Sequence, residues 1–200
     1  MLENLIELDK IIFSFFNQGL SNQIFDWIMP VITDWDKTII GRLLIVSTVI
    51  FLLWKGDPKK RMLVPLLFLT IIITDQLNSS VLKNMIARPR PCHLVDGAYI
   101  IENVRLLVSC GSGFSFPSSH AANSFAIATL LSIYYQKLSW LFILLAAIVG
   151  FSRIYVGVHF PLDVIGGAFV GMICSLILYY SWLLISKYFS TRRTNNLAKK

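Results

Sequence analysis

Apolar runs close to the length of a bilayer crossing recur along this chain from about residue 38 onward. A membrane-spanning helix needs about 20 predominantly apolar residues. Hydrophobic residues make up 56% of the sequence and charged residues 14%, proportions far from those of soluble proteins. The sequence therefore predicts an all-α, polytopic membrane helix bundle, and its 200 residues leave room for one domain.

The apolar runs predict five transmembrane helices within a single membrane-integrated domain. The predicted spans cover about residues 38–54, 62–86, 118–136, 138–155 and 161–188. Around this core of residues 38–188 we expect interfacial N-terminal helices at 1–37 and a basic cytoplasmic tail at 189–200.

The N-terminal segment is amphipathic and too short to span as one apolar helix. Residues 2–17 alternate apolar side chains with Glu7, Asp9 and Lys10 at helical periodicity, and a second, aromatic-rich segment follows. Helices of this kind usually lie in the membrane interface. The alternative is that residues 4–33 cross the membrane as a broken helix, which would make six spans.

Basic residues orient the predicted spans. Because short basic loops stay in the cytoplasm, the loop at 55–61, the turn at Lys137 and the C-terminal tail are placed inside. The loops at 87–117 and 156–160 and the acidic N-terminus then face outward. The net charge of +7 is thus a topology signal, and no nucleic-acid partner is expected.

Polar and charged residues cluster at the predicted outer face. In chain order they are Lys83, Arg88, Arg90, Ser118, Ser119, His120, Arg153, His159 and Asp163. Ionisable groups at membrane depth are costly and usually functional. We expect most of them to line one anion-binding pocket, whereas Arg88 is interpreted as a loop charge.

The spacing of these residues favours phosphate chemistry. Ser118 or Ser119 is placed to cap the third span, whose free amides would face an anion. Asp163 follows His159 by four residues, so it is placed to accept from one ring nitrogen and leave the other as a nucleophile. His120 is placed to protonate a leaving oxygen. No cluster has metal-ligand spacing, so we expect metal-free chemistry.

The same residues form a three-part pattern. The parts are Lys83, six residues, Arg90-Pro91; then Pro117-Ser118-Ser119-His120; then Ser152-Arg153, five residues, His159, three residues, Asp163. This pattern resembles the signature of the type 2 phosphatidic acid phosphatase superfamily, whose members include membrane lipid phosphatases and vanadium haloperoxidases. The motifs cover about 20 positions in the family's order. Ser119 stands where the family usually has glycine.

The resemblance implies a role for each matching residue. His159 is implied as the nucleophile that forms a phosphohistidine, Asp163 as its support, and His120 as the acid for the leaving group. The implied phosphate-binding residues are Lys83, Arg90, Ser118, Ser119 and Arg153. No metal or cofactor is implied.

The predicted function is a metal-independent membrane phosphatase that hydrolyses a lipid phosphate or pyrophosphate at the outer face. Candidate substrates are undecaprenyl or another isoprenyl pyrophosphate, phosphatidylglycerol phosphate, phosphatidic acid and lipid A phosphate. By analogy, we expect a bacterial inner-membrane enzyme whose site faces the periplasm or exterior and whose C-terminus is cytoplasmic. A vanadate-dependent oxidase and a non-enzymatic lipid carrier are the alternatives.

The remaining predictions concern structural residues. Cys92 and Cys110 lie in the outward loop, an oxidising compartment in many bacteria, so we expect a disulfide. Cys174 lies in an apolar run and should pack there, and His93 is interpreted as a solvated loop residue. Three glycines of the fifth span form a small-residue packing face: Gly166, Gly167 and Gly171.

Overall fold

The computed structural model describes residues 2–95 and 97–197 as a bundle of helices. The helices are α1 (Leu2–Ser14), α2 (Gln23–Thr33), α3 (Ile39–Lys55), α4 (Pro58–Gln76), α5 (Lys83–Ile86), α6 (Ser119–Tyr134), α7 (Ser139–Tyr155) and α8 (Pro161–Leu197). A π-helical segment, Leu77–Leu82, joins α4 to the short α5, so the described chain forms seven separate helical bodies. A second π-helical segment, Phe15–Gly19, follows α1. The strands β1 (Leu94–Val95) and β2 (Ala98–Tyr99) make a small antiparallel hairpin.

Three of the described helices are long and apolar enough to cross a membrane. They cover Lys60–Ile86, Gln136–Tyr155 and Pro161–Arg192, with mean hydropathies of 1.5, 1.9 and 2.0. These three correspond to the second, fourth and fifth predicted spans. The other two predicted spans form α3, of 17 residues, and α6, of 16 residues. At about 1.5 Å per residue both are shorter than a bilayer core of about 30 Å.

The helix α6 packs against α4, α7 and α8. Its buried small residues are Ala121, Ala122, Ala126 and Ala128. A Cβ atom added at Gly171 of α8 would lie 2.0 Å from the carbonyl oxygen of Ala122, and one at Gly167 would lie 2.4 Å from that of Ser118. Only glycine permits so close a backbone approach, so the predicted small-residue packing face is confirmed.

The helices α1 and α2 lie against the end of the bundle where α7 ends and α8 begins. Asp9 of α1 accepts a hydrogen bond from the backbone N–H of Leu162 at 2.9 Å. Thr33 at the end of α2 accepts one from Nη1 of Arg153, also at 2.9 Å. The chain from residue 9 to residue 33 therefore starts and finishes at the same end of the bundle.

The helices α1, α2 and the segment between them bury several polar residues and expose many apolar ones. The buried polar residues are Asp9, Asn17 and Thr33. The exposed apolar residues include Leu8, Ile11, Phe15, Ile24, Trp27 and Val31. The sequence predicts Asp9 only as part of a polar helix face, and its burial follows from its partners, Leu162 on α8 and Arg88 in the loop after α5.

The loop after α5 is held by covalent and backbone bonds. Cys92 and Cys110 form a disulfide with a Cα–Cα distance of 6.3 Å, as predicted. Cys174 is buried and free, which confirms its packing role. The last helix continues through residues 189–197, so most of the expected C-terminal tail is helical, while residues 198–200 fall outside the described chain.

Candidate active site

The predicted site residues come together at the end of the bundle that α1 and α2 cover. Lys83 lies close enough to Arg90, Arg153 and Asp163 for electrostatic interaction. His120 lies close enough to Arg153 and His159 for the same. The backbone also links two motifs directly, because the N–H of Ser118 donates to the carbonyl of Asp163 at 2.9 Å.

His159 is held in a tight turn between α7 and α8. Gly157 has a φ of 91°, and a Cβ atom there would lie 2.5 Å from the carbonyl oxygen of Arg105. The turn buries His159, which is 1% exposed. This burial lowers the pKa of His159 to about 4, against the opposing attraction of Asp163. The imidazole is therefore neutral at pH 7, the form that has a free lone pair.

Ser115 lies between His159 and Asp163. Nδ1 of His159 is 3.3 Å from Oγ of Ser115 and 3.6 Å from Oδ2 of Asp163. The second distance is longer than a hydrogen bond. Ser115 Oγ in turn donates to Asp163 Oδ2. The pairing of His159 with Asp163 expected from the sequence is present as a 3.6 Å contact, and the hydrogen bonds between them run through the serine hydroxyl.

Asp163 is buried at the first turn of α8 and has several donors. It accepts a hydrogen bond from the backbone N–H of Phe160 at 2.7 Å. It also accepts from Nη1 of Arg88 at 2.8 Å. The interpretation of Arg88 as a loop charge was wrong, since its guanidinium pairs with this buried carboxylate. No local pattern in the sequence marks that pairing.

The three cations of the site are held by different elements. Nε of Arg90 donates to the carbonyl of Gly113 at 2.8 Å, and Gly111 packs against the same guanidinium. Nη1 of Arg153 is bound to Thr33, but its buried Nε has no partner among the described residues. Lys83 is partly buried on α5. The site therefore concentrates positive charge, and at least one of its buried N–H donors, Nε of Arg153, has no partner among the described residues.

The start of α6 is braced from the π-helical segment. Ser118 is the N-cap residue, as predicted, but its buried hydroxyl makes no capping bond and has no partner among the described residues. Ser119 Oγ accepts from Nδ2 of Asn78 at 2.8 Å, and the same nitrogen donates to the carbonyl of Pro117 at 3.1 Å. Bulges of the π type inside α-helices often occur at functional sites. Here the bulge accompanies a buried amide that braces the Pro-Ser-Ser-His segment.

The remaining histidines differ in position. His120 is half-buried, with Nε2 at 3.8 Å from Oδ1 of Asp34. His93 was interpreted as solvated, but it is half-buried and its Nε2 lies 2.9 Å from the carbonyl oxygen of Gly111. His93 also has its ligand atoms within 4.8 Å of the sulfurs of Cys92 and Cys110. Those sulfurs are bonded to each other, so they are not thiolate ligands in this structure.

Comparison with known proteins gives matches over most of the chain. Residues 64–186 match the model of the PAP2 superfamily. The chain is 32% identical over 191 residues to a lipid A 4'-phosphatase of Bacteroides thetaiotaomicron, which covers 90% of this chain and 79% of the relative.

Two solved structures are also similar. One is the crystal structure of Aquifex aeolicus LpxE, with a TM-score of 0.67 and 30% identity, covering 84% of this chain and 93% of the other. The second is a transmembrane PAP2-type phosphatidylglycerolphosphate phosphatase from Bacillus subtilis, with a TM-score of 0.63 and 25% identity, covering 91% and 88%. The similarity therefore extends from the motifs to the fold.

Proposed function

This chain belongs to the PAP2 superfamily and is a membrane lipid phosphatase, and on that premise we propose that it hydrolyses a lipid phosphate monoester through a phosphohistidine on His159. The observation that carries the proposal is the state of His159. Its Nδ1 is engaged by Ser115, burial keeps the ring neutral, and Arg90 and Arg153 lie within electrostatic reach. A neutral imidazole with one nitrogen fixed leaves Nε2 as the nucleophile.

The first step breaks the bond between phosphorus and the lipid oxygen. Nε2 of His159 attacks phosphorus, while His120 gives its proton to the departing alkoxide. The positive charge that develops on the ring is balanced through Ser115 by Asp163. In the second step water attacks the phosphohistidine, the P–N bond breaks, and His120 takes the proton from the water. Phosphate leaves and both histidines return to their starting states.

The transferring phosphoryl group needs cations around its equatorial oxygens. We assign this role to Lys83, Arg90 and Arg153, helped by the hydroxyls and amides at Ser118 and Ser119. The unpartnered Nε of Arg153 and Oγ of Ser118 support the assignment, because buried polar groups without a protein partner are rare. A tetrahedral anion would satisfy both.

Lipid A phosphate is the substrate that we propose first. The match to the lipid A 4'-phosphatase relative covers 90% of this chain and 79% of the relative. Phosphatidylglycerol phosphate, phosphatidic acid and undecaprenyl pyrophosphate share the phosphate chemistry and differ in the group behind it. A site at the bundle end would receive each of them laterally from the bilayer.

For the membrane arrangement we propose a single membrane-integrated domain with five spans, in which α3 and α6 complete the three long helices. Support comes from α3, whose apolar residues are exposed along most of its length, and from the position of α6 among the other spans. The outward apolar faces of α1 and α2 support an interfacial position at the site end. The site would face the exterior of a bacterial plasma membrane, and α8 would end in the cytoplasm.

Phosphate release from a panel of those four lipids by the purified full-length protein tests the function. We expect lipid A phosphate to give the highest kcat/KM and His159→Ala to release none. Brief incubation with labelled substrate should trap an acid-labile phosphoenzyme in the wild type alone. Equal release by His159→Ala and wild type would overturn the mechanism, whereas a preference for another lipid would overturn only the substrate.

A further inference from the structure

One guanidinium joins two buried carboxylates beside His159. Nη2 of Arg88 lies 2.6 Å from Oδ2 of Asp9, and its Nη1 lies 2.8 Å from Oδ1 of Asp163. The two carboxylate side chains are 1% and 0% exposed, and that of Arg88 is 19% exposed. Exposed ion pairs contribute little, but a charge this deeply buried must be paired or it is strongly unfavourable.

Each member of this cluster is also fixed from a second direction. The other oxygen of Asp9 accepts from the backbone N–H of Leu162 at 2.9 Å. The guanidinium of Arg88 lies over the ring of Phe160 at 4.2 Å. The carbonyl of Arg88 accepts from the N–H of Ser115 at 2.7 Å. Arg88 therefore contacts both residues that lie against Nδ1 of His159, one through its side chain and one through its backbone.

The position of Asp9 shows why this arrangement is more than loop packing. Asp9 lies on α1, outside residues 64–186 that match the family. Burial raises the pKa of Asp9, while hydrogen bonds from Arg88 and Leu162 oppose that effect. An acid is thus kept in an unfavourable place, where it pairs with the residue that holds Asp163.

We propose that Asp9 and Arg88 are positioning residues of the hydrolytic site, which hold the Asp163 carboxylate toward Ser115 and so make α1 part of the catalytic apparatus. The inference rests on the proposed function. Two carboxylates fix the plane of one guanidinium, and the guanidinium fixes the carboxylate of Asp163. The positive charge on Arg88 also opposes protonation of His159, which must stay neutral to attack.

Other charges act on His159, so the test isolates Arg88 and Asp9 among them. Among the described residues, the charged or titratable groups that interact with His159 directly are Asp163, Arg90, Arg153 and His120. Lys83 interacts with Arg90, Arg153 and Asp163, and Arg88 and Asp9 are linked to His159 through Asp163. The test therefore changes only charge or only shape at Arg88 and Asp9. Three variants do so: Arg88→Gln, Arg88→Lys and Asp9→Asn.

The measurement is kcat and kcat/KM between pH 7 and pH 4.5 for the full-length protein in detergent, with whichever lipid phosphate the wild type hydrolyses best. The ratio of variant to wild type cancels the titration of the substrate. For Arg88→Gln we expect the acid limb of kcat/KM to move up by about one pH unit, so that the ratio falls about threefold over this range. Arg88→Lys should lower kcat but leave the ratio independent of pH, because the charge is kept.

Asp9→Asn should lower kcat about tenfold without an upward shift of the limb, since Arg88 keeps its charge and loses its orientation. The matched control is Asp26→Asn, which removes the 2.5 Å pair with Arg105 that joins the same loop to α2. It should lower the thermal midpoint and leave the limb in place. Glu7 is an exposed acid on α1, and Glu7→Gln should change neither the thermal midpoint nor the position of the acid limb.

A pH-independent ratio for Arg88→Gln, or the same kcat loss in Asp9→Asn and Asp26→Asn, would overturn the inference. Should Arg88→Gln fail to fold, the comparison of Arg88→Lys and Asp9→Asn with Asp26→Asn decides the matter on kcat. Absence of phosphate release by the wild type from every lipid would instead overturn the proposed function, so the two failures are distinct.

Discussion

The hydroxyl of Ser115 lies between the imidazole of His159 and the carboxylate of Asp163 and bonds to both. It lies 3.3 Å from Nδ1 and donates to the carboxylate. A hydroxyl both donates and accepts, so it can accept a hydrogen bond from Nδ1–H of His159 while it donates one to Asp163. In the proposed mechanism the ring becomes positive on phosphorylation, and that chain would carry the compensating interaction.

Removing the hydroxyl should therefore reduce the rate of phosphoryl transfer. Ser115→Ala leaves Nδ1 with a carboxylate at 3.6 Å and no bonded partner. Hydrogen bonds to charged groups contribute about 1.5–3 kcal/mol, which corresponds to about a tenfold to hundredfold fall in kcat. We expect KM for the lipid phosphate to stay within about twofold of wild type, because the phosphate-binding cations are untouched.

The control for this variant is Ser112→Ala, an exposed serine in the same loop. It should behave as wild type in steady-state kinetics. Ser115→Thr keeps the hydroxyl and should recover part of kcat. Unchanged kcat in Ser115→Ala would mean that Asp163 reaches the imidazole directly in the working enzyme.

At the scale of single elements, the helix formed by α4, the π-helical segment and α5 carries two functions. It supplies Lys83 near its end, and its π-helical segment carries Asn78, whose amide nitrogen bridges Pro117 and Ser119. Ser119 occupies the position where the family usually has glycine, and the bond from Asn78 fixes its hydroxyl. The bulge thus couples the helix bearing Lys83 to the end of α6 that is proposed to bind phosphate.

Loss of that bridge should loosen the start of α6. Asn78→Ala leaves a buried carbonyl and a hydroxyl without their donor, which costs about 1–3 kcal/mol of stability. We expect a lower thermal midpoint and about a tenfold rise in KM for the lipid phosphate, with a smaller change in kcat. The matched control is Asn84→Ala, because Asn84 is exposed on the same helix and its side chain donates to the carbonyl of Ser80, one turn earlier.

An equal rise in KM for the Asn84→Ala and Asn78→Ala variants would assign the effect to the helix rather than to the bridge. An unchanged KM for Asn78→Ala, with a lower thermal midpoint, would give Asn78 a purely structural role.

The limits of sequence reasoning follow from how far apart the partners lie. The motif residues are detectable because each motif is local, with fixed spacings such as the four residues from His159 to Asp163. The partner of Arg88 on α1 is 79 residues away, and that of Ser115 on α8 is 48 away. Periodicity places Asp9 on a polar face but does not show whether water or a guanidinium covers it.

Span lengths show a similar limit. Hydropathy predicted α3 to within one residue at each end, but it extended α6 to residue 136, whereas the helix ends at Tyr134. The end of α6 depends on the 3-10 turn at Gln136–Leu138, which hydropathy does not show. The disulfide, in contrast, was predictable because both cysteines lie in one loop whose orientation follows from the flanking charges.

For the molecule as a whole, the distribution of charge distinguishes the two ends of the bundle. The site residues, the acids of α1 and α2 and the disulfide loop lie at one end. The basic loop between α3 and α4 and the turn at Lys137 lie at the ends of the same helices that are remote from the site. Because basic loops stay in the cytoplasm, this polarity supports the proposed outward orientation of the site.

Cysteine labelling in intact cells tests that orientation. In a Cys174→Ser background, which leaves no free native thiol, we introduce single cysteines at three exposed positions: Glu102→Cys in the site loop, Lys137→Cys in the opposite turn, and Glu3→Cys in α1. A membrane-impermeant maleimide should label the first and third in cells with a permeabilised outer membrane. It should label the cysteine at position 137 only after lysis.

Each position decides a different question. Labelling at 137 but not at 102 in intact cells would place the site in the cytoplasm and overturn the outward orientation. Protection at position 3 together with labelling at 102 would mean that residues 4–33 cross the membrane and that the bundle has six spans. The contacts of Asp9 and Thr33 at the same end of the bundle lead us to expect labelling at position 3. That result would place the helix bearing Asp9 on the same side of the membrane as the proposed hydrolytic site.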